Sequence, residues 1–362
     1  MMSTAQFCSS TPFTMTLLST VLEDTAHRQP LVVLQSNLAQ SALPILREIV
    51  DATASEDQPR HIQLFCLLYP PSSLVYNKSE SLEAYDWTDR IPEYNDANSL
   101  DVIVQIAETA LEGSSKPRTI IIDSIDTLLE DSGSLSATYK SLAKLYSLVK
   151  KRTDARLILH SQSPCSLLPL ITQTAFSSSI AHVIAHPPAL LAHLATEFLM
   201  PPPPLSPMAK FWGVFMPVSE RIHDTERLVF GPTGEGSSSP AEFVVELIVR
   251  DGAGGRKRGV ERVLEGWAAT AGGSCELGSL QSLKPLMTKK TAELPQSAPD
   301  PTQNLPFNLS LTSSQQESRA SVPLPYAHEG TPVPSTLPGA IFYDPDSADD
   351  IDDDDPDEDL DI

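Results

Sequence analysis

No stretch of eighteen consecutive apolar residues occurs in the sequence, and its N-terminus lacks a basic region followed by an apolar segment and a small-residue cleavage site. Neither a membrane span nor entry into the secretory route is therefore expected. The four cysteines, Cys8, Cys66, Cys165 and Cys275, are scattered without CxxC spacing. Reduced, mostly buried thiols of an intracellular protein are the plain reading. Lysine and arginine are missing between Asp344 and Asp361, where eleven aspartates and one glutamate crowd together. Such a run cannot offset its own desolvation, so it is expected to stay in solvent as an acidic tail.

The 362 residues carry a formal net charge of -22, and without the twelve carboxylates of the tail the count is an ordinary -10. With 41% hydrophobic residues the chain can build one sizeable core. Most of the 32 prolines fall after residue 186, which points to short irregular segments in the second half.

The first half alternates between strand and helix periods, as layered α/β proteins do. Leu31 to Gln35, Ile62 to Leu68, Thr119 to Asp123 and Arg156 to His160 read as strands buried on both faces. Ser99 to Leu111 and Ser134 to Lys151 have helical apolar spacing and cover the sheet. An N-terminal helix is expected within Pro12 to His27, and a turn into a helix over Ser163 to Ala175 with Pro164 near its start. Ser179 to Ala185 reads as a strand, and Ala189 to Met200 as a helix ended by Pro201 to Pro204. Beyond the prolines, Phe211 to Met216, Arg227 to Phe230, Phe243 to Val249 and Val260 to Trp267 suggest an antiparallel set. One mixed sheet fits better than two domains, since the second half has few helices to cover a sheet of its own. The expected organisation is an α/β domain over 1–290, a linker over 291–306, a docking segment over 307–340 and the acidic tail over 341–362.

A phosphate-binding loop would place glycines, a lysine and a Ser or Thr after the first strand. The sequence there is Gln35-Ser36-Asn37-Leu38-Ala39-Gln40-Ser41, with neither glycine nor lysine. Independent ATP hydrolysis is not expected of it. Ile120-Ile121-Ile122-Asp123-Ser124 has the form of an apolar strand ending in a magnesium-holding aspartate, although a strand-end carboxylate more often accepts backbone hydrogen bonds. Asp126 and Glu130 repel one another and make no acid–base pair. His182 and His186 share one face of a strand, about 13 Å apart, too far for joint metal binding. His193 reads as a packing residue. Ser161, Ser163 and Ser166 near His160 lack an acidic orienter for hydrolysis. Trp267 reads as core rather than as a stacking platform. Arg250, Arg256, Lys257, Arg258 and Arg262 form the clearest basic run, either a solvated turn or a phosphate contact; Lys284, Lys289 and Lys290 would enlarge its field if folded nearby.

Taken in order, several stretches resemble the fifth subunit of the Elongator complex, of fungal type. In the body these are Ile120 to Ser124, His186-Pro187-Pro188-Ala189-Leu190-Leu191-Ala192-His193-Leu194, Phe211-Trp212, Val245-Glu246 and Arg256-Lys257-Arg258. Toward the end they are Pro301-Thr302-Gln303, Phe307-Asn308-Leu309, Leu311-Thr312, Gln315, Arg319, Leu324-Pro325-Tyr326 and Asp354 to Leu360. The resemblance covers roughly residues 10 to 362. It implies a RecA-like ATPase fold, a P-loop NTPase-type architecture without its P-loop, with a mixed central sheet flanked by helices, an extended C-terminal segment and an acidic tail. It further implies a noncatalytic subunit without cofactor or metal, in a hexameric ring with the fourth and sixth Elongator subunits, joined to the catalytic Elongator subcomplex. The family supports wobble-uridine modification of tRNA in the cytoplasm, with nuclear access left open. On this reading Arg256, Lys257, Arg258 and Arg262 are candidate tRNA contacts. Phe307, Leu309, Leu311, Gln315, Arg319, Leu324 and Tyr326 are candidate interface residues. A ring subunit without direct RNA contact, or a divergent nucleotide-binding protein, are the alternatives.

Overall fold

The computed structural model describes residues 16–23, 29–53, 60–77, 79–90, 99–113, 116–234, 236, 238–251, 259–288 and 313–321. Two units are distinguished, Met1–Leu294 and Pro295–Ile362. In the first, nine strands form one sheet in the order β3-β2-β4-β5-β1-β6-β7-β8-β9. They are β1 Leu31–Ser36, β2 His61–Cys66, β3 Leu82–Asp86, β4 Arg118–Ile122, β5 Ala155–Gln162, β6 Ile180–His186, β7 Glu242–Arg250, β8 Val260–Ala268 and β9 Gly273–Cys275. The strands from β3 to β6 pair in parallel, and β6 through β9 pair antiparallel, so the sheet is mixed as expected. Helices flank it: α1 Leu17–Glu23, α2 Leu43–Thr53, α3 Pro71–Leu74, α4 Ser99–Glu112, α5 Ile125–Ser132, α6 Leu135–Lys150, α7 Leu168–Ile171, α8 Pro188–Glu197, α9 Met208–Ser219, α10 Ile222–Phe230 and α11 Lys284–Thr288. The architecture is a mixed central sheet flanked by helices. The unit β1–turn–α2 has the strand–turn–helix form on which a P-loop is built, and β4 runs into Asp123.

Alternation along β1 explains its unbroken apolar run. Leu31 and Val33 face α4, α5 and α6, whereas Val32 and Leu34 face α1 and α2. Between α5 and α6 the chain turns at Gly133, whose φ of 61° suits glycine, and Ser134 then caps α6 by accepting the Ala137 amide. A third apolar cluster joins Leu190, Leu191 and Leu194 of α8 to Phe211 and Phe215 of α9 and to Val244.

Two expected strands are helices. Phe211 to Met216 lies within α9 and Arg227 to Phe230 within α10. A short apolar run does not separate strand from buried helix by itself. What decides α9 is the burial of Phe211, Phe215 and Val218, spaced as one helical face, and α10 likewise buries Thr225 and Val229. The antiparallel set is therefore β7, β8 and β9. The helix expected over Ser163 to Ala175 contracts to α7, with Pro169 rather than Pro164 in its first turn. Helix α2 and edge strand β3 were not expected at all.

Helix α1 is held at both ends by distant side chains. The Glu265 carboxylate accepts the Leu17 and Leu18 amides at 2.7 and 2.8 Å, and the buried Arg156 guanidinium donates to the Val21 and Leu22 carbonyls. The signs match the helix dipole. Cys66 is buried, while Cys165 and Cys275 are half-buried and free; Cys8 lies outside the described residues. No helix among the described residues is long and apolar enough to cross a membrane. In the second unit one helix is described, α12 Ser313–Ala320, with Ser313, Ser314, Gln315, Glu317 and Ser318 exposed. The expected linker, most of the docking segment and the acidic tail lie outside the described residues.

Candidate functional site

The carboxyl ends of β1, β4 and β5 meet where an α/β nucleotide enzyme would hold phosphate. Here the chain's own groups fill the position. Ser36 is buried at the end of β1, and its Oγ accepts the Ala42 amide at 2.8 Å and lies 2.7 Å from His160 Nε2. His160 Nδ1 lies 2.6 Å from the Asp123 backbone carbonyl, which can only accept, so Nδ1 carries the proton and the Ser36 hydroxyl donates to Nε2. Burial holds His160 below the usual imidazole range, in keeping with this neutral tautomer. Ser36 and His160 thus form a hydroxyl–imidazole pair, sealed from solvent and spent on positioning.

The turn between β1 and α2 is closed in the same way. The Asn37 and Gln40 backbones bond each other, Asn37 Oδ1 accepts the Gln40 amide at 2.7 Å, and Gln40 Nε2 reaches the Ser239 carbonyl at 3.0 Å. A phosphate-binding loop aims such amides at its ligand. Asp123 is equally committed. Its Oδ1 accepts the Leu67 amide at 2.7 Å, and its Oδ2 accepts those of Leu68 and Tyr69 at 3.0 and 2.8 Å. Burial drives the carboxyl above the usual range against these amides, which favour its charged form. Next to it, Ser124 caps α5 through the Thr127 amide, and Asp126 accepts the Gln162 amide at 2.6 Å. Glu130 is exposed. Leu38 and Leu68, 61% and 46% exposed, are the large apolar side chains that the turns after β1 and β2 present to solvent.

A second polar cluster lies where the sheet turns antiparallel. Glu246, 1% exposed, binds His186 Nε2 at 2.9 Å and the Arg262 guanidinium, which also lies over the Trp212 ring. Burial alone would raise the Glu246 carboxyl, but His186 and Arg262 hold it below its ordinary range. His182 instead donates from Nε2 to Gln35 Oε1 at 2.9 Å, and burial pushes it down to about 4. No group of three metal-ligating side chains occurs among the described residues. His193 stacks edge-on against Phe198.

Of the basic run, Arg250 donates to the Thr172 and Ser177 carbonyls at 3.1 and 2.6 Å, and Arg262 is held by Glu246. Arg256, Lys257 and Arg258 lie outside the described residues, as do Lys289 and Lys290, whereas Lys284 bonds Gln281. Trp267 is core, stacked on Phe243 with its indole N–H 2.5 Å from Glu48 Oε2. Gly273, at φ 133°, leaves room for that carboxylate, since a Cβ there would come within 2.3 Å of Glu48 Oε1. Gln315 is exposed on α12; Phe307, Leu309, Leu311, Leu324, Tyr326 and the Arg319 side chain lie outside the described residues. Ser36–His160 and Glu48–Trp267 were missed as partners, because no sequence spacing joins residues 124 and 219 apart.

A family described as Elongator subunit Iki1 matches residues 17–344. Curated proteins named Elongator complex protein 5 are similar over 70 residues: 47% identical in Mus musculus, over 17% of this chain and 23% of the relative, and 43% in Homo sapiens, over 17% and 23%. The Rattus norvegicus protein is 43% identical over 17% of this chain and 22% of its own. The chain thus spans less than a quarter of the curated relatives it matches. Among solved structures, a KaiC-like protein of Pyrococcus horikoshii OT3 aligns with a TM-score of 0.37 and 9% identity, over 66% of this chain and 86% of that one.

Proposed function

The chain belongs to the Elongator subunit Iki1 family, and from that premise we propose that it is a noncatalytic subunit of an Elongator complex. It forms a heterohexameric ring with the fourth and sixth subunits, binds tRNA, and supports wobble-uridine modification performed elsewhere in the complex. The observation that carries this reading is the self-filled site. Asp123 is occupied by three amides and Ser36 by His160 and Ala42, so neither is poised toward magnesium or phosphate. The exposed leucines of the turns after β1 and β2 suit a neighbouring protein chain better than a charged ligand.

Affinity purification followed by native mass spectrometry tests the assembly. The expected result is a ring with two copies of each of three subunits, and deletion of residues 307–326, which removes Phe307, Leu309, Leu311, Leu324 and Tyr326 together with Gln315 and Arg319, should lower its recovery. A solitary chain that turns over ATP through the Ser36 to Ser41 turn would overturn the reading.

Phosphate contacts fall to Arg256, Lys257 and Arg258. Neutralising all three should weaken tRNA binding by the assembled ring and flatten its log–log salt slope, by about 0.7 to 0.9 for each phosphate no longer neutralised. Arg250 and Arg262, tied inside the fold, favour the second reading, a ring subunit without direct RNA contact. An unchanged salt slope in the triple variant would select it.

A further inference from the structure

An apolar groove of about 580 Å³ opens between the proline turn, α9 and β8, with Pro203, Pro204, Met208, Trp212, Val263 and Leu277 on its walls. Met208 is 58% exposed there. Thr16 stands at the edge of the same groove, fixed by its hydroxyl to Ser274 Oγ at 2.9 Å, and the next two amides are fixed to Glu265. The chain therefore enters its body at the groove. Three residues of any chain span no more than about 11 Å, so the stretch just before Thr16 is tethered within reach of the groove. Residues 1–15 include Phe7, Phe13 and Met15 and no Asp, Glu, Lys or Arg, although 20% of the chain is charged.

We propose that residues 7–15, which lie outside the described residues, fill this groove of their own chain, with Phe13 and Met15 as the anchors. An uncharged occupant fits, because the Glu265 carboxylate on the groove wall is already satisfied by the Leu17 and Leu18 amides, and Glu276 lies on the exposed rim. Tethering to Thr16 gives the segment a high effective concentration, which a separate apolar peptide lacks. A second copy is a poorer occupant, since two chains of formal charge -22 repel.

The full-length chain with p-benzoylphenylalanine in place of Phe13, irradiated and mapped by peptide mass spectrometry, tests this. The expected product keeps the monomer mass and joins position 13 to residues 203–212, 263–265 or 277. Met208→Asp, at an exposed site that tolerates charge, should abolish that crosslink. In a separate measurement, Phe13→Ser with Met15→Ser should speed amide hydrogen exchange over 208–212. Crosslinks to another part of the chain, to a second copy or to a partner subunit in the assembled complex, no crosslink, a crosslink that survives Met208→Asp, or unchanged exchange would each overturn the proposal.

Discussion

Asp123→Ala is expected to lower the unfolding free energy by about 3–5 kcal/mol, because each buried amide left without an acceptor costs about 1–3 kcal/mol. Three amides depend on this carboxylate, that of Leu67 fully buried and those of Leu68 and Tyr69 partly. The loss is a large share of the roughly 5–15 kcal/mol that holds a typical domain together. Urea unfolding of the purified chain reads it as a lower midpoint at unchanged slope. Asp123→Asn should fall between, since its amide NH2 faces donors where the second oxygen had faced them. A variant as stable as the parent, in a ring that has lost ATP turnover, would assign Asp123 to catalysis instead.

The second large effect belongs to Glu246. Removing one member of a buried ion pair typically costs about 3–5 kcal/mol, because the partner is left uncompensated. Glu246→Leu alone should be destabilised toward the lower end of that range, since the Arg262 side chain left behind is 27% exposed and regains water in part, while Glu246→Leu with Arg262→Met should recover most of the loss. The pH dependence has a definite sign. A carboxyl whose folded pKa lies below its ordinary value of about 4.3 contributes fully above that value and loses its contribution as the pH falls through the lower folded pKa. The stability difference between parent and Glu246→Leu should therefore be largest near neutrality and shrink in acid. A difference independent of pH, or a double variant no better than the single, would mean that Glu246 acts through packing alone.

Both residues show how far the sequence could be read. The strands β1, β2, β4, β5 and β6 were legible because burial on two faces demands unbroken Val, Ile and Leu. Helix α9 was not, since Phe211 to Met216 is as apolar as a strand and only Val218, one turn beyond, completes the helical face. Asp123 was recognisable as a strand-end carboxylate, but its acceptor role depends on the turn after β2, 54 to 56 residues earlier. The site's closure was half visible: the missing glycine and lysine excluded a phosphate loop. That His160 plugs the gap required β5 to lie beside β1, with Leu34 opposite His160. Arg262 belonged to a basic run by position along the chain, yet β8 directs it to a carboxylate on β7.

The two-ended grip on α1 bears on how the protein is made. Helix α1 is tied to Arg156 and Glu265, and β1 must wait for β5 and β6 on either side, so these two segments find partners that are made much later. Until about residue 265 has emerged, α2 can cover Leu18, Val21 and Leu22 in part, but the carboxylate that holds the amino end of α1 is missing. Interrupted or slowed translation in that interval should therefore leave fragments that chaperones bind through the segment carrying α1 and β1.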